Sequence, residues 1–125
     1  MRIWDIEPSE FPNMNSAIRQ LFESLRIRDA VISKSLGLKA GWTNHPEVLR
    51  WAGKLNALRR VFEATKAHLL AHGKEWAGKY HFDVPGEFSG DSHVQDTIIT
   101  GFPEQRRRLE EKDAYYKSRM GRGIA

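Results

Sequence analysis

The sequence predicts an all-α fold, a single compact domain of about three helices with a long ordered loop and an aromatic C-terminal tail. Two apolar stripes of helical period carry this expectation, together with the start and stop signals around them. Met14, Ile18, Leu21, Leu25 and Ile32 recur at steps of three, four and seven. Val48, Trp51, Leu55, Leu58, Phe62 and Leu69 do the same, with Ala52 and Val61 beside them. Such spacing places each set on one face of a helix.

Residues 1–12 are expected to be extended, broken by Pro8 and Pro12. Asn13 or Asn15 can cap the first helix, which runs to about Lys34. Gly37 and Gly41 mark a loop. Thr43-Asn44-His45-Pro46 combines a capping residue with a proline near the first helical position. The second helix is expected to run from there to His72 and to stop at Gly73. Residues 74–92 hold Gly78, Pro85, Gly86 and Gly90 and read as an ordered loop, because Trp76, Tyr80, Phe82 and Phe88 require burial. A short element is expected from Val94 to Thr100. Pro103 opens a third helix through about Lys112. The tail, Tyr115-Tyr116-Lys117, is expected to fray towards Gly121 and Gly123.

Length and composition exclude several classes. A chain of 125 residues without cysteine suits one domain spanning 1–125 and leaves no room for a separate cofactor fold. Without cysteine there is no disulfide scaffold, no thiolate zinc site and no thiol nucleophile. The 40% apolar and 29% charged fractions are those of a globular protein. No apolar run approaches the roughly 20 residues of a membrane span. Met1-Arg2-Ile3-Trp4-Asp5 lacks the apolar core of a signal peptide. The expectation is a cytoplasmic protein without membrane contact.

The net charge is +4, and its distribution says more than its sum. Residues 14–72 carry ten bases and four acids, and residues 103–125 seven bases and four acids. The segments between and before them are acidic. Positive charge on two helical segments suits a polyanion, with nucleic acid the first candidate, or else a solvated basic surface.

Generic catalytic patterns are weak. His68 and His72 stand four apart on one helix, half of a metal site, but no Glu follows His68 and no third ligand is evident. The glycines match no phosphate loop, and no nucleophile elbow is present. The first helix is more informative. Glu23 lies nearly opposite the apolar stripe, flanked by Arg19 and Arg26 on the same face. That pattern describes a surface ion-pair ladder or a carboxylate held among phosphate-binding arginines. In the third helix Arg106-Arg107-Arg108 and Lys112 precede Tyr115, Tyr116 and Lys117. Basic residues interleaved with aromatics suit a nucleic-acid backbone or a solvated helix end.

Taken in order, these residues resemble the phage-type pyrimidine-dimer DNA glycosylases with AP-lyase activity, the dimer-specific endonuclease V type. The carriers are Met1-Arg2-Ile3-Trp4-Asp5, Glu23 one helix in, Asn44-His45-Pro46 before a long basic helix, Pro85-Gly86-Glu87-Phe88-Ser89-Gly90-Asp91, Arg108-Leu109-Glu110-Glu111-Lys112, and Tyr115-Tyr116-Lys117. The resemblance implies a nucleophilic N-terminal α-amine that attacks deoxyribose C1′ and forms a Schiff base. Such an amine titrates near pH 8, so a useful fraction is neutral at pH 7. Because bulky Arg2 follows Met1, Met1 is expected to be retained and to supply the amine. Glu23 would be the partner acid/base. Arg2 and Arg26 match phosphate-clamping arginines, and Arg108 and Lys112 match cations on the far side of the DNA face. The resemblance implies double-stranded DNA with a damaged pyrimidine or an abasic site as partner, a monomer, no cofactor and no metal.

The chain departs from the family pattern at two positions. Phe22 stands where an arginine usually precedes the glutamate, and Ser16 stands where a histidine is frequent. Arg19 is the candidate replacement for the missing cation. Two other readings stay open, an inactive DNA-binding relative and a small helical adaptor for an acidic partner.

Overall fold

The computed structural model describes residues 2–38 and 43–124, with side chains described up to Ser118 except at Tyr116. Among these residues there are four α-helices, α1 (Met14–Ser35), α2 (Pro46–Trp51), α3 (Leu55–Ala71) and α4 (Phe102–Ile124). Three 3-10 turns accompany them, at Pro8–Glu10, Glu75–Lys79 and Gly86–Phe88, and the described residues form no strand. The fold is all-α, as the periodicity predicts. None of these helices is long and apolar enough to cross a membrane.

Local chemistry sets most of the ends. Asn13 Oδ1 accepts from the Ser16 amide at 3.0 Å and caps α1. At the other end Leu38 N donates to Ser33 O, and Gly37 N to Lys34 O, around a glycine at φ +73°. Gly73, at φ +79°, closes α3 the same way, with Lys74 N donating to Leu69 O. Both stops satisfy orphan carbonyls through a left-handed residue that glycine reaches without strain.

Three expectations are corrected. The helix expected to run unbroken from Pro46 to His72 is two helices. Gly53 sits at φ +74° between them, and a distant segment supplies the new N-terminus. The Asp91 carboxylate accepts from Leu55 N at 3.1 Å, Ser92 N donates to Gly53 O, and Ala57 N donates to Ser92 O. No local signal reports a cap that arrives from 36 residues away. The element expected at Val94–Thr100 has no regular structure. The third helix does not end near Lys112 but continues to Ile124. Asp113 and Lys117, four apart and 2.9 Å from each other, support the extension.

All six residues of the second stripe are buried. The first stripe behaves differently. Leu21 is buried, but Met14, Ile18, Leu25 and Ile32 are only partly so. The most buried line of α1 is Ala17, Gln20, Ser24, Ile27 and Val31. At 100° per residue, that line lies about 110° around the helix from the apolar stripe. The α1 helix packs on α3 and α2 and also receives the N-terminal segment, so its covered arc is wider than its apolar one. Of the loop aromatics, Phe82 is buried, Trp76 and Phe88 are half-buried, and Tyr80 is exposed. Helix α4 docks on the N-terminal segment, where Leu109 joins Trp4 and Ile6 in a second small core beside Phe11.

Candidate active site

Residues 2–6 run without regular structure between α1 and α4, so their backbone polar groups need partners from elsewhere. Trp4 N donates to Gln20 Oε1 at 2.8 Å, and Gln20 Nε2 donates onward to Thr65 Oγ1 of α3. Asp5 N donates to Gln105 Oε1 of α4 at 2.8 Å. Ile3 O accepts from Arg50 Nη2 at 3.0 Å. The segment is thereby tied to all four helices through three buried polar side chains.

Beside it lies a small cleft of about 80 Å³ lined by Arg2, Trp4, Ser16, Arg19, Gln20, Glu23 and Lys112. The Arg2 guanidinium stands 5.2 Å, and Lys112 Nζ 5.3 Å, from the centre of the Trp4 ring. Both lie within cation–π range. Partial burial, then the charges of Arg19 and Arg2, hold the Lys112 ammonium below its ordinary pKa, and Glu23 opposes the shift. Glu23 Oε2 and Arg2 Nη1 are both buried and have no hydrogen-bond partner among the described residues. Buried polar atoms are ordinarily paired. Two that are not, an acceptor and a donor, belong to residues that line one cleft, a setting that suits a polar ligand.

The structure corrects the placement of Glu23 on an open helical face. The N-terminal segment and Lys112 of α4 cover that face, so Glu23 is half-buried. Of the expected site residues, Glu23, Arg2, Arg19 and Lys112 line one cleft. Arg26 is exposed on the next turn of α1. Arg108, one turn before Lys112, donates to Glu104 at 3.0 Å. Lys117 pairs with Asp113, and Tyr115 is exposed. Met1 and the side chain of Tyr116 lie outside the described residues. Phe22, one residue before Glu23, faces away into an aromatic group. Its ring lies parallel to Trp76 at 6.0 Å and edge-on to Tyr80 at 5.0 Å. His68 and His72 form no ligand set. Their rings pack 4.4 Å apart, and His72 Nδ1 meets His68 O at 2.8 Å. Burial, then His72, lowers the pKa of His68. No group of three or more potential metal ligands occurs among the described residues.

Sequence reasoning missed Gln20, Arg50 and Gln105, the three side chains that hold the N-terminal segment. Their only trace is a polar residue at a helical position flanked by buried neighbours, as Gln20 is by Ala17, Leu21 and Ser24.

A family model described as pyrimidine dimer DNA glycosylase matches residues 1–85. A search of curated proteins and of solved structures finds no match. With more than half of the chain covered, the protein belongs to the pyrimidine dimer DNA glycosylase family. The matched part supplies Arg2, Arg19 and Glu23. Lys112, the fourth charged wall of the cleft, comes from α4 beyond it.

Proposed function

We propose that this member of the family is a DNA glycosylase with AP-lyase activity that works through an imine on the α-amine of Met1, with Glu23 as its acid/base. The observation that carries the reading is the buried Glu23 carboxylate oxygen, unpartnered among the described residues, on a residue that lines a cleft with three cationic walls. Arg2, the residue next to Met1 in the chain, lines the same cleft.

In this reading the amine lone pair attacks C1′ of the damaged nucleotide. The electrons of the N-glycosidic bond leave with the pyrimidine, which takes up a proton. Opening of the sugar ring gives the protonated imine. Glu23 then accepts a proton from C2′, and the electrons released expel the 3′ phosphate as the strand breaks. Arg2, Arg19 and Lys112 offset the charge of the flanking phosphates. The substrate is a duplex carrying a pyrimidine dimer, and an abasic site enters the same sequence at the imine step.

The test is borohydride trapping on two duplexes, one with a cis-syn thymine dimer and one with an abasic site. The expected result is a covalent adduct on both, mapped to Met1. Glu23→Gln is expected to slow strand cleavage by about 10²–10⁴-fold while leaving the fold intact. Adduct on the abasic duplex alone would keep the lyase and remove the dimer as substrate. DNA binding without any adduct would leave an inactive DNA-binding relative.

A further inference from the structure

Arg50 is fully hydrogen-bonded, and it lies outside the cleft. Its side chain is 2% exposed, and its five N–H groups make five hydrogen bonds. Nη1 donates to Asp5 Oδ1 at 2.7 Å and to Thr97 O at 3.0 Å. Nη2 donates to Ile3 O at 3.0 Å and to Glu47 Oε2 at 3.2 Å, and Nε donates to Glu47 Oε2 at 3.3 Å. The guanidinium lies 4.9 Å from the centre of the Trp51 ring, whose Nε1 donates to the same Glu47 oxygen. Asp5 is gripped on its other side as well, Oδ2 accepting from Gln105 Nε2 at 3.0 Å.

Neutralising a buried arginine needs one carboxylate. Here two are present, and two further bonds go to main-chain carbonyls. One of those belongs to Ile3, two residues from the chain start and one residue from the cleft wall Arg2. A planar fork that meets Ile3 O and Asp5 Oδ1 together fixes the direction of the backbone between them. An ammonium, with three tetrahedral donors, cannot reproduce that geometry.

We propose that Arg50 is a positioning residue for the nucleophile, fixing the backbone at Ile3, one residue from the cleft wall Arg2, and hence the approach of the α-amine to C1′. This inference rests on the reading of Met1 given above. Misplacement of a reacting group by about 1 Å can cost on the order of 100-fold in rate, so a clamp outside the cleft can control the chemistry without touching DNA.

The experiment is single-turnover borohydride trapping on an abasic duplex by the full chain and by Arg50→Lys. Rate constant and end-point are recorded separately, alongside the Kd for the same duplex. Arg50→Lys keeps the charge beside Asp5 and Glu47 and loses the fork. The expected result is an unchanged end-point, a Kd within about threefold, and a rate constant lower by about tenfold or more. A merely structural role would lower the end-point in step with the folded fraction and leave the rate constant unchanged, and that result overturns the proposal. Should Arg50→Lys fail to fold, Asp5→Asn loosens the same anchor at constant shape. It is expected to slow trapping about three- to tenfold, and an unchanged rate there overturns the proposal equally. Absence of trapping by the unaltered chain defeats the imine reading itself and this inference with it. Normal trapping by the unaltered chain with unaffected variants defeats only the inference.

Discussion

Arginines and carboxylates meet in two regions of this protein under opposite conditions. On the outer face of α4, Arg106 pairs with Glu10, Arg107 with Glu104 and Glu111, and Arg108 with Glu104. Arg107 is 56% exposed and Glu111 63% exposed. Under the N-terminal segment, Arg50 pairs with Asp5 and Glu47, and all three are nearly sealed from solvent. The first region was the conspicuous one in the sequence, three arginines in a row. The second was a lone arginine in an apolar helix. Water screens the first set so well that its pairs contribute little to stability. In the second, each charge depends on its partners because burial has removed the alternative. Charge density along the chain therefore does not rank these sites, and burial does.

The largest effect expected from this contrast is on stability. Arg50→Met strands two buried carboxylates and should cost on the order of 3–5 kcal/mol, a fall in Tm of about 10–20 °C by calorimetry. Arg107→Ala should leave Tm within about 2 °C. Equal effects from the two variants would break the comparison.

The next effect is on DNA binding. Lys112→Gln, in the cleft, should weaken duplex binding and lower the salt slope of log Kd by about one. Arg107→Gln should change the slope by less, since Glu104 and Glu111 already compensate Arg107. The cleft also predicts a pH dependence. The free ammonium of Lys112 is held below its ordinary pKa by burial and by Arg19 and Arg2, and a bound phosphate favours the charged form. Affinity should therefore fall as pH rises through that lowered value. Fluorescence titration should show this limb in the natural protein and not in Lys112→Gln.

The smallest effect lies at the junction of the two regions. Asn13 caps α1, and its Nδ2 donates to Asp113 Oδ1 of α4 at 2.8 Å. That bond, with a second from Lys117, holds the Asp113 carboxyl below its ordinary pKa. A lowered carboxyl pKa stabilises the fold above the unfolded value, near 4, and that contribution is lost as pH falls through the folded value. Asn13→Ala should cost about 1 kcal/mol at neutral pH through the lost cap. Its difference from the natural protein in denaturant unfolding should narrow as pH falls through the lowered Asp113 value and the carboxylate that Asn13 Nδ2 bonds becomes protonated.

Particular residues show how far the chain could be read without coordinates. The second stripe was legible because its six apolar residues fall on one face and all are buried, and a period of 3.6 reports one face. The first stripe was legible as a helix but gave the wrong centre of burial, because Gln20 and Ser24 occupy the covered arc with small or hydrogen-bonded side chains. Glu23 was legible as a candidate from its family position and basic neighbours, whereas its burial depends on Lys112, 89 residues further along the chain. The break at Gly53 was not legible at all, since the cap of α3 is Asp91. Residues 94–100, expected as an element, are instead held irregular in part by Gln95 Nε2 donating to Arg50 O and Lys54 Nζ donating to Gln95 Oε1.

By itself the sequence determined the helical class, the stops at Gly37 and Gly73, the buried stripe of α2 and α3, and the family to which Glu23 and its arginines belong. These follow from short-range steric preference, periodicity and residue pattern, which are written locally. Only the tertiary structure decided which arc of α1 is covered, that Glu23 and Arg2 line one cleft while Glu23 Oε2 and Arg2 Nη1 lack partners among the described residues, and that Arg50 grips the N-terminal segment at Ile3 and Asp5. Each of those depends on what packs from a distant segment. Burial converts a charge from a solvated ornament of the surface into a group that must be held, and burial is a property of the folded chain alone.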